Sequence, residues 1–168
     1  MEEKIRILFV CTGNICRSPT AEVVLTERAR QHGFPERLDV HSAGTHAYHV
    51  GEGADTRSTE HAHKRGYDLS RHRARKFRAS DLDDFDWVLC MDRSHLEHVQ
   101  DYLHDNQRAQ VALFLDFASG PARGQDMPDP YYGGDMGFEN VLDLCEDASR
   151  GFIERLVSGD LEESSRRG

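Results

Sequence analysis

Features that would direct a chain to a membrane, to nucleic acid or to the extracellular space are missing from these 168 residues. No apolar run approaches the roughly 20 residues that a membrane-spanning helix needs. Cysteine is scarce. Cys11, Cys16, Cys90 and Cys145 are too few and too scattered for a secreted disulfide framework. No C-x2-C or H-x3-H pair supplies a zinc site, and His61 and His63 are expected on different faces of one helix, both solvated. Positive charge is in deficit, 21 Lys and Arg against 30 Asp and Glu for a net −9. That balance argues against nucleic acid as a partner, and any anion site must be locally positive within an acidic molecule. No signal-peptide pattern precedes the first strand pattern, and there is no internal repeat or interdomain linker. One domain with a full core, in a reducing cytoplasm and as a monomer, is the expectation.

What is present centres on Phe9-Val10-Cys11-Thr12-Gly13-Asn14-Ile15-Cys16-Arg17-Ser18-Pro19. Ile5, Ile7, Leu8, Phe9 and Val10 read as a strand buried on both faces. Pro19 fits the first turn of a helix. A loop of this length between strand and helix can turn successive N–H groups inward and form an anion nest at the helix N-terminus. Gly13 and Asn14 tolerate the positive φ that such a nest needs. Arg17 can add a two-pronged clamp on an oxyanion. Cys11, at the end of the strand, would place its sulfur beneath the bound group, where the same dipoles stabilise a thiolate nucleophile.

The stretch resembles the phosphate loop of the low-molecular-weight protein tyrosine phosphatases. Matching residues recur in order at Ser42-Ala43-Gly44-Thr45, Cys90-Met91-Asp92 and Asp129-Pro130-Tyr131-Tyr132-Gly133, so the resemblance extends to about residue 157. It implies a flavodoxin-like α/β fold and a phosphocysteine mechanism that needs no metal or cofactor. Residues 1–157 would be the phosphatase domain and 158–168 a polar tail. Cys11, Arg17 and Asp129 would be catalytic, with Asp129 as general acid and then base. Thr12, Gly13, Asn14, Ile15, Cys16, Ser18, Tyr48, Tyr131 and Tyr132 would bind the phosphate or the aryl ring. Asn14, Ser18, Ser42 and His72 would hold the loop's shape. Cys16 would be a redox partner that protects Cys11 through a reversible disulfide. The implied partner is a phosphotyrosine protein or an aryl phosphate, with inorganic phosphate as product and no membrane or nucleic acid.

Two relatives of this fold are rivals. An arsenate reductase would need two further cysteines close together, which Cys90 and Cys145 do not provide. A protein-arginine phosphatase is associated with Thr at the position of Ile15, and Tyr131-Tyr132 favours an aryl ester. A non-catalytic phosphate-binding module would not need both Cys11 and Asp129.

Along the chain, helices are expected over 19–32, 54–66, 93–104 and near the C-terminus, with a short Ser80-capped helix over 80–85. Strands are expected over 5–10, 38–42, 86–92 and 111–117. This alternation predicts a four-stranded parallel sheet of order 2-1-3-4 with helices on both faces. Arg71, Arg73, Lys76 and Arg78 read as a solvated basic loop. Cys90 and Cys145 read as core, and 118–136 as a long functional loop.

Overall fold

The strand that begins the chain divides the core in two. In β1 (Ile5–Cys11), Ile5, Ile7, Phe9 and Cys11 face one apolar cluster, and Leu8 and Val10 face the other. This is the period-2 alternation of a strand covered on both sides. The computed structural model describes residues 4–33, 37–132 and 134–159. Around β1 lie β2 (Leu38–Gly44), β3 (Trp87–Cys90) and β4 (Gln110–Leu113), all parallel, in the order β2-β1-β3-β4. Cys11 pairs with Gly44 at the carboxyl edge, where open α/β sheets place their ligands.

Helices cover both faces. α1 (Arg17–Gln31), α2 (Thr56–Lys64) and α5 (Asp135–Ser158) bury Val24, Leu25, Ala62, Leu142 and Phe152 against the first face. α3 (Asp81–Asp84) and α4 (Arg93–Gln100) bury Leu82 and Val99 against the second. No helix among the described residues is long and apolar enough to cross a membrane. Cys90 and Cys145 are fully buried core residues, as expected.

Several boundaries differ from the sequence reading. α1 begins at Arg17, not Pro19, which brings Arg17 and Ser18 into its first turn. β3 spans only Trp87–Cys90, because Asp86 turns its carboxylate back to the Arg6 amide and Asp92 caps α4. α4 stops at Gln100, so Leu103 is exposed rather than on an apolar stripe. The fourth strand stops at Leu113, and Phe114–Phe117 is a 3-10 turn that drives Phe114 and Phe117 into the core. Ser80 precedes α3 but makes no side-chain cap; the buried Asp81 instead accepts the Arg78 amide. His61 is not solvated: it stacks on Phe138 with centroids 5.5 Å apart and bonds Glu139, joining α2 to α5. Arg71, Arg73, Lys76 and Arg78 are exposed, as read. α5 continues to Ser158, one residue into the expected tail, and residues 160–168 of that tail lie outside the described residues.

One contact of α5 tolerates no side chain. A Cβ on Gly151 would lie 1.9 Å from the Phe117 carbonyl oxygen, and the obstacle is backbone. Gly151→Ala is expected to cost about 3 kcal/mol by overpacking, against the roughly 1 kcal/mol that alanine gains inside a helix. Thermal denaturation should therefore show Tm lowered by about 4–8 °C; an unchanged Tm would contradict this packing.

Candidate active site

In the loop between β1 and α1, five carbonyls from Cys11 to Cys16 are held by hydrogen bonds from neighbouring segments. The Cys11 oxygen accepts from the Thr45 amide at 2.8 Å, and the Thr12 oxygen from the His46 amide at 3.0 Å. The Asn14 oxygen accepts from His72 Nε2 at 2.6 Å, and the Ile15 oxygen from the Asp55 amide at 2.8 Å. The Cys16 oxygen accepts from the Thr20 amide and hydroxyl. In a planar trans peptide the following N–H points the opposite way. The amides of Thr12, Gly13, Ile15, Cys16 and Arg17 are therefore turned toward the loop's centre. α1 adds to them the orphan donors of its first turn, where Pro19 has no N–H to offer.

Asn14 makes this shape possible. Its φ is 58°, a left-handed conformation uncommon outside glycine. The residue is completely buried, and every polar atom of its side chain is used. Nδ2 donates to Ser18 Oγ and Ser42 Oγ, each at 2.9 Å, and Oδ1 accepts from the Arg75 amide at 2.9 Å. His72, the donor to the Asn14 carbonyl, has its pKa lowered by burial, which favours the neutral ring. Ser18 Oγ accepts from Asn14 and lies 2.9 Å from Cys11 Sγ.

Arg17, 3% exposed, is the cation of the site. Its Nη1 donates to Asp92 at 2.7 Å and to the Met127 carbonyl at 2.8 Å, and its Nη2 lies 3.7 Å from Asp129. Burial works against charge on Asp92, but hydrogen bonds from Ser94 and Arg17 hold its carboxyl below the usual range. Asp92 also begins α4 in a capping box, in which its side chain accepts from the Ser94 and His95 amides while His95 Nδ1 accepts from the Asp92 amide.

An open cleft of about 210 Å³ lies over the loop. Cys11, Arg17 and Asp129 line it, with Thr12, Gly13, Ile15 and Cys16 as the floor and Tyr48 and Tyr131 as walls. Tyr48 is exposed and stacks on His46, with centroids 5.0 Å apart. Burial pushes the Cys16 thiol up to about 12, which keeps it protonated. Asn14 and Ser18, expected among the binding residues, have fully buried side chains, do not line the cleft, and join Ser42 and His72 in supporting the loop. The side chain of Tyr132 lies outside the described residues.

The sequence reading missed the residues that hold this arrangement from a distance. His49 lines the cleft and packs on Gly13, where a Cβ would meet its ring at 3.0 Å. Arg57 donates to the Tyr131 carbonyl at 3.0 Å and lies over the rings of Tyr131 and Phe138. It is itself paired with Asp55, the N-cap of α2. For Asp92 and His95 a signal was available: a capping residue three positions before a hydrogen-bonding side chain marks a helix start.

Comparison with known proteins agrees with this geometry. The family profile of the Low molecular weight phosphotyrosine protein phosphatase matches residues 6–161. The low molecular weight phosphotyrosine protein phosphatase of Schizosaccharomyces pombe is 40% identical over 158 residues, 94% of this chain and all of that protein. A protein tyrosine phosphatase structure from Entamoeba histolytica superposes with a TM-score of 0.87 at 36% identity, covering 93% of this chain and 99% of that one. An arginine phosphatase structure from Drosophila superposes at 0.82 with 27% identity, covering 90% and 98%.

Two measurements test the site's construction. A Cβ at Gly44 would lie 2.7 Å from the Thr12 oxygen and 3.1 Å from the Asn14 amide. Gly44→Ala should push the loop out of shape and abolish thermal protection by inorganic phosphate, and protection equal to wild type would sink this reading. The second test concerns pH. Burial, aided by Arg17, lowers the His95 pKa to about 4, while Asp92, Asp126 and Asp129 pull it the other way. The unfolded chain protonates this ring first, so its contribution is complete above about pH 6.5 and is lost as pH falls toward 4. Chemical denaturation should show the wild type losing about 3 kcal/mol more than His95→Asn between pH 7 and 4. Parallel curves would contradict a buried neutral ring.

The loop sequence, the parallel sheet of order 2-1-3-4 and the match over nearly the whole length together place this chain in the low molecular weight phosphotyrosine protein phosphatase family.

Proposed function

We propose that this chain hydrolyses phosphotyrosine and other aryl phosphate monoesters through a phosphocysteine on Cys11. The observation that carries the proposal is the set of outward-held carbonyls, which leaves a ring of inward amides around the Cys11 sulfur with Arg17 and Asp129 on the rim. Such a ring favours the charge that gathers on three equatorial phosphoryl oxygens in the transition state. Arg17 Nη1 is already held by Asp92 and Met127, so its Nε–Nη2 edge is the one to meet the anion.

The Cys11 thiolate attacks phosphorus in line. The P–O bond to the tyrosyl oxygen breaks, and that oxygen takes the proton of Asp129. Asp129 then removes a proton from water, the resulting hydroxide attacks phosphorus, and the P–S bond breaks with its electrons returning to Cys11. Ser18 Oγ, which accepts from Asn14, has its own proton to give to the departing sulfur at 2.9 Å. Inorganic phosphate leaves. Tyr48 and Tyr131 flank the aryl ring. The catalytic unit is residues 1–157, and a thiol nucleophile implies a reducing, cytoplasmic setting. After oxidation of Cys11 by peroxide, Cys16 in the same loop would condense with the sulfenic acid to give a reducible disulfide. A Cys16→Ser enzyme that recovers from peroxide equally well would refute that protective step.

The likeness to an arginine phosphatase makes phosphoarginine the second substrate to test. With chelator present, wild type should turn over a phosphotyrosine peptide and Cys11→Ser should not. Asp129→Asn should lower kcat on the peptide by about 10²–10⁴, and by much less on p-nitrophenyl phosphate, whose leaving group needs no proton. Preference for phosphoarginine would keep the mechanism and overturn the aryl specificity, whereas activity on neither would overturn the proposal.

A further inference from the structure

One polar contact at the cleft has no part in the mechanism above. Thr12 Oγ1 lies 2.8 Å from Nε2 of His95, a residue only 1% exposed in the first turn of α4. The direction of this bond follows from its surroundings. His95 Nδ1 faces the Asp92 backbone amide at 3.1 Å, a group that can only donate. Asp92 Oδ1 is 3.3 Å from the same nitrogen, but it already accepts from the Ser94 amide, the Ser94 hydroxyl and the His95 amide. Nδ1 is therefore the acceptor, and the proton of the neutral ring sits on Nε2. Arg17 Nη2 also approaches Nε2, at 3.5 Å, the outer limit for a hydrogen bond, and this longer contact is outweighed by the 3.1 Å bond from the Asp92 amide to Nδ1.

It follows that Nε2–H donates to Thr12 and occupies one lone pair of Oγ1. The hydroxyl proton of Thr12 cannot return to His95, and no acceptor among the described residues faces it. Thr12 lines the cleft beside Cys11 and Arg17. We infer that the Thr12 hydroxyl is an additional hydrogen-bond donor to the bound phosphate monoester, and that His95 is the positioning residue that aims it. His95 thereby serves two partners through opposite edges of one ring. Its Nδ1 closes the cap that holds Asp92 against Arg17, and its Nε2–H orients the first side chain of the phosphate loop. This inference rests on the phosphatase reading, because it adds a contact to that substrate.

The two edges can be separated by substitution. In His95→Gln the side-chain amide reaches the position of Nε2, keeping the donor to Thr12 and losing the acceptor for the cap. In His95→Asn the amide oxygen takes the place of Nδ1, keeping the cap and losing the donor. Steady-state kinetics on a phosphotyrosine peptide, inhibition by inorganic phosphate, and thermal denaturation should be measured for both, and for Thr12→Ser, Thr12→Val and Thr12→Val with His95→Asn. Thr12→Val and His95→Asn should each lower kcat/KM about tenfold, the worth of one hydrogen bond, and weaken phosphate inhibition in parallel. Thr12→Ser should retain activity. His95→Gln should keep most of the activity with a lowered Tm, and the double variant should be no worse than Thr12→Val alone. A Thr12→Val enzyme within twofold of wild type, or losses that follow Tm rather than the donor, would overturn the inference while leaving the phosphatase intact. A wild type that turns over no phosphate monoester would remove the phosphatase reading and this one together, and is recognised by the wild-type assay alone.

Discussion

A ring of peptide N–H groups facing one point is unfavourable without an anion, because parallel dipoles repel and the donors go unpaired. This protein holds such a ring by binding the opposite end of each peptide. Thr45, His46, Asp55, His72 and Thr20 pull on loop carbonyls from β2's end, from the start of α2, from the 70–78 segment and from α1 itself. The loop's shape is thus a property of the surrounding fold, and each of these neighbouring elements contributes one or two hydrogen bonds to it. That is why a strained residue such as Asn14 persists at φ 58°.

The support extends beyond first contacts. Asp81 is completely buried, yet it receives both Nη1 and Nη2 of Arg75 together with the Arg78 amide. This ion pair fixes the segment whose Arg75 amide donates to Asn14 Oδ1. Asn14 in turn orients Ser18, and Ser18 meets the Cys11 sulfur. A line of side-chain and backbone contacts runs from α3, on the far face of the sheet, to the Cys11 sulfur. Truncating one member of such a line leaves a buried partner unpaired, which costs more than the bond itself contributes. On the opposite side, Arg57 ties the wall formed by Tyr131 to α2, and Asp55 ties α2 to the loop. Floor and wall therefore share an anchor.

How much of this could be read from the sequence depends on the range of each interaction. The strand-loop-helix around Cys11 was legible because its signals are local: an apolar run, residues that accept positive φ, and a proline in a first turn. Sheet order was legible because strands and helices alternate along the chain and the loop motif resembles that of a known doubly covered fold, with β1 patterned for burial on both faces. Asp129 stood out through its flanking prolines. The failures have a common cause. β4 read as continuing to Phe117 because the apolar run does continue, but the burial of Phe114 and Phe117 is achieved by a 3-10 turn against α5. His61 read as solvated because its partners, Phe138 and Glu139, lie 77 and 78 residues away. His95 drew no attention because nothing in Arg93-Ser94-His95 reveals that the ring will be set against Thr12, 83 residues away in sequence.

Arg17 shows why such distant contacts decide function. Its Nη1 is committed to Asp92 and to the Met127 carbonyl, so the guanidinium plane is fixed before any ligand arrives. Its Nη2 is left within 3.7 Å of Asp129, on a loop that lacks regular periodicity and is held by Arg57. One cation is therefore shared between a rigid acid at a helix cap and a half-exposed acid on the cleft's rim. On the proposed mechanism, an incoming phosphate monoester would compete for the second of these. On that reading the pairing with Asp92 would keep the clamp in register with the loop amides, and Asp129, displaced from Arg17, would stand at the rim where the leaving oxygen takes its proton. The division of labour between the two aspartates thus follows from where each sits: Asp92 at the fixed end of β3 and Asp129 between two prolines of a long loop.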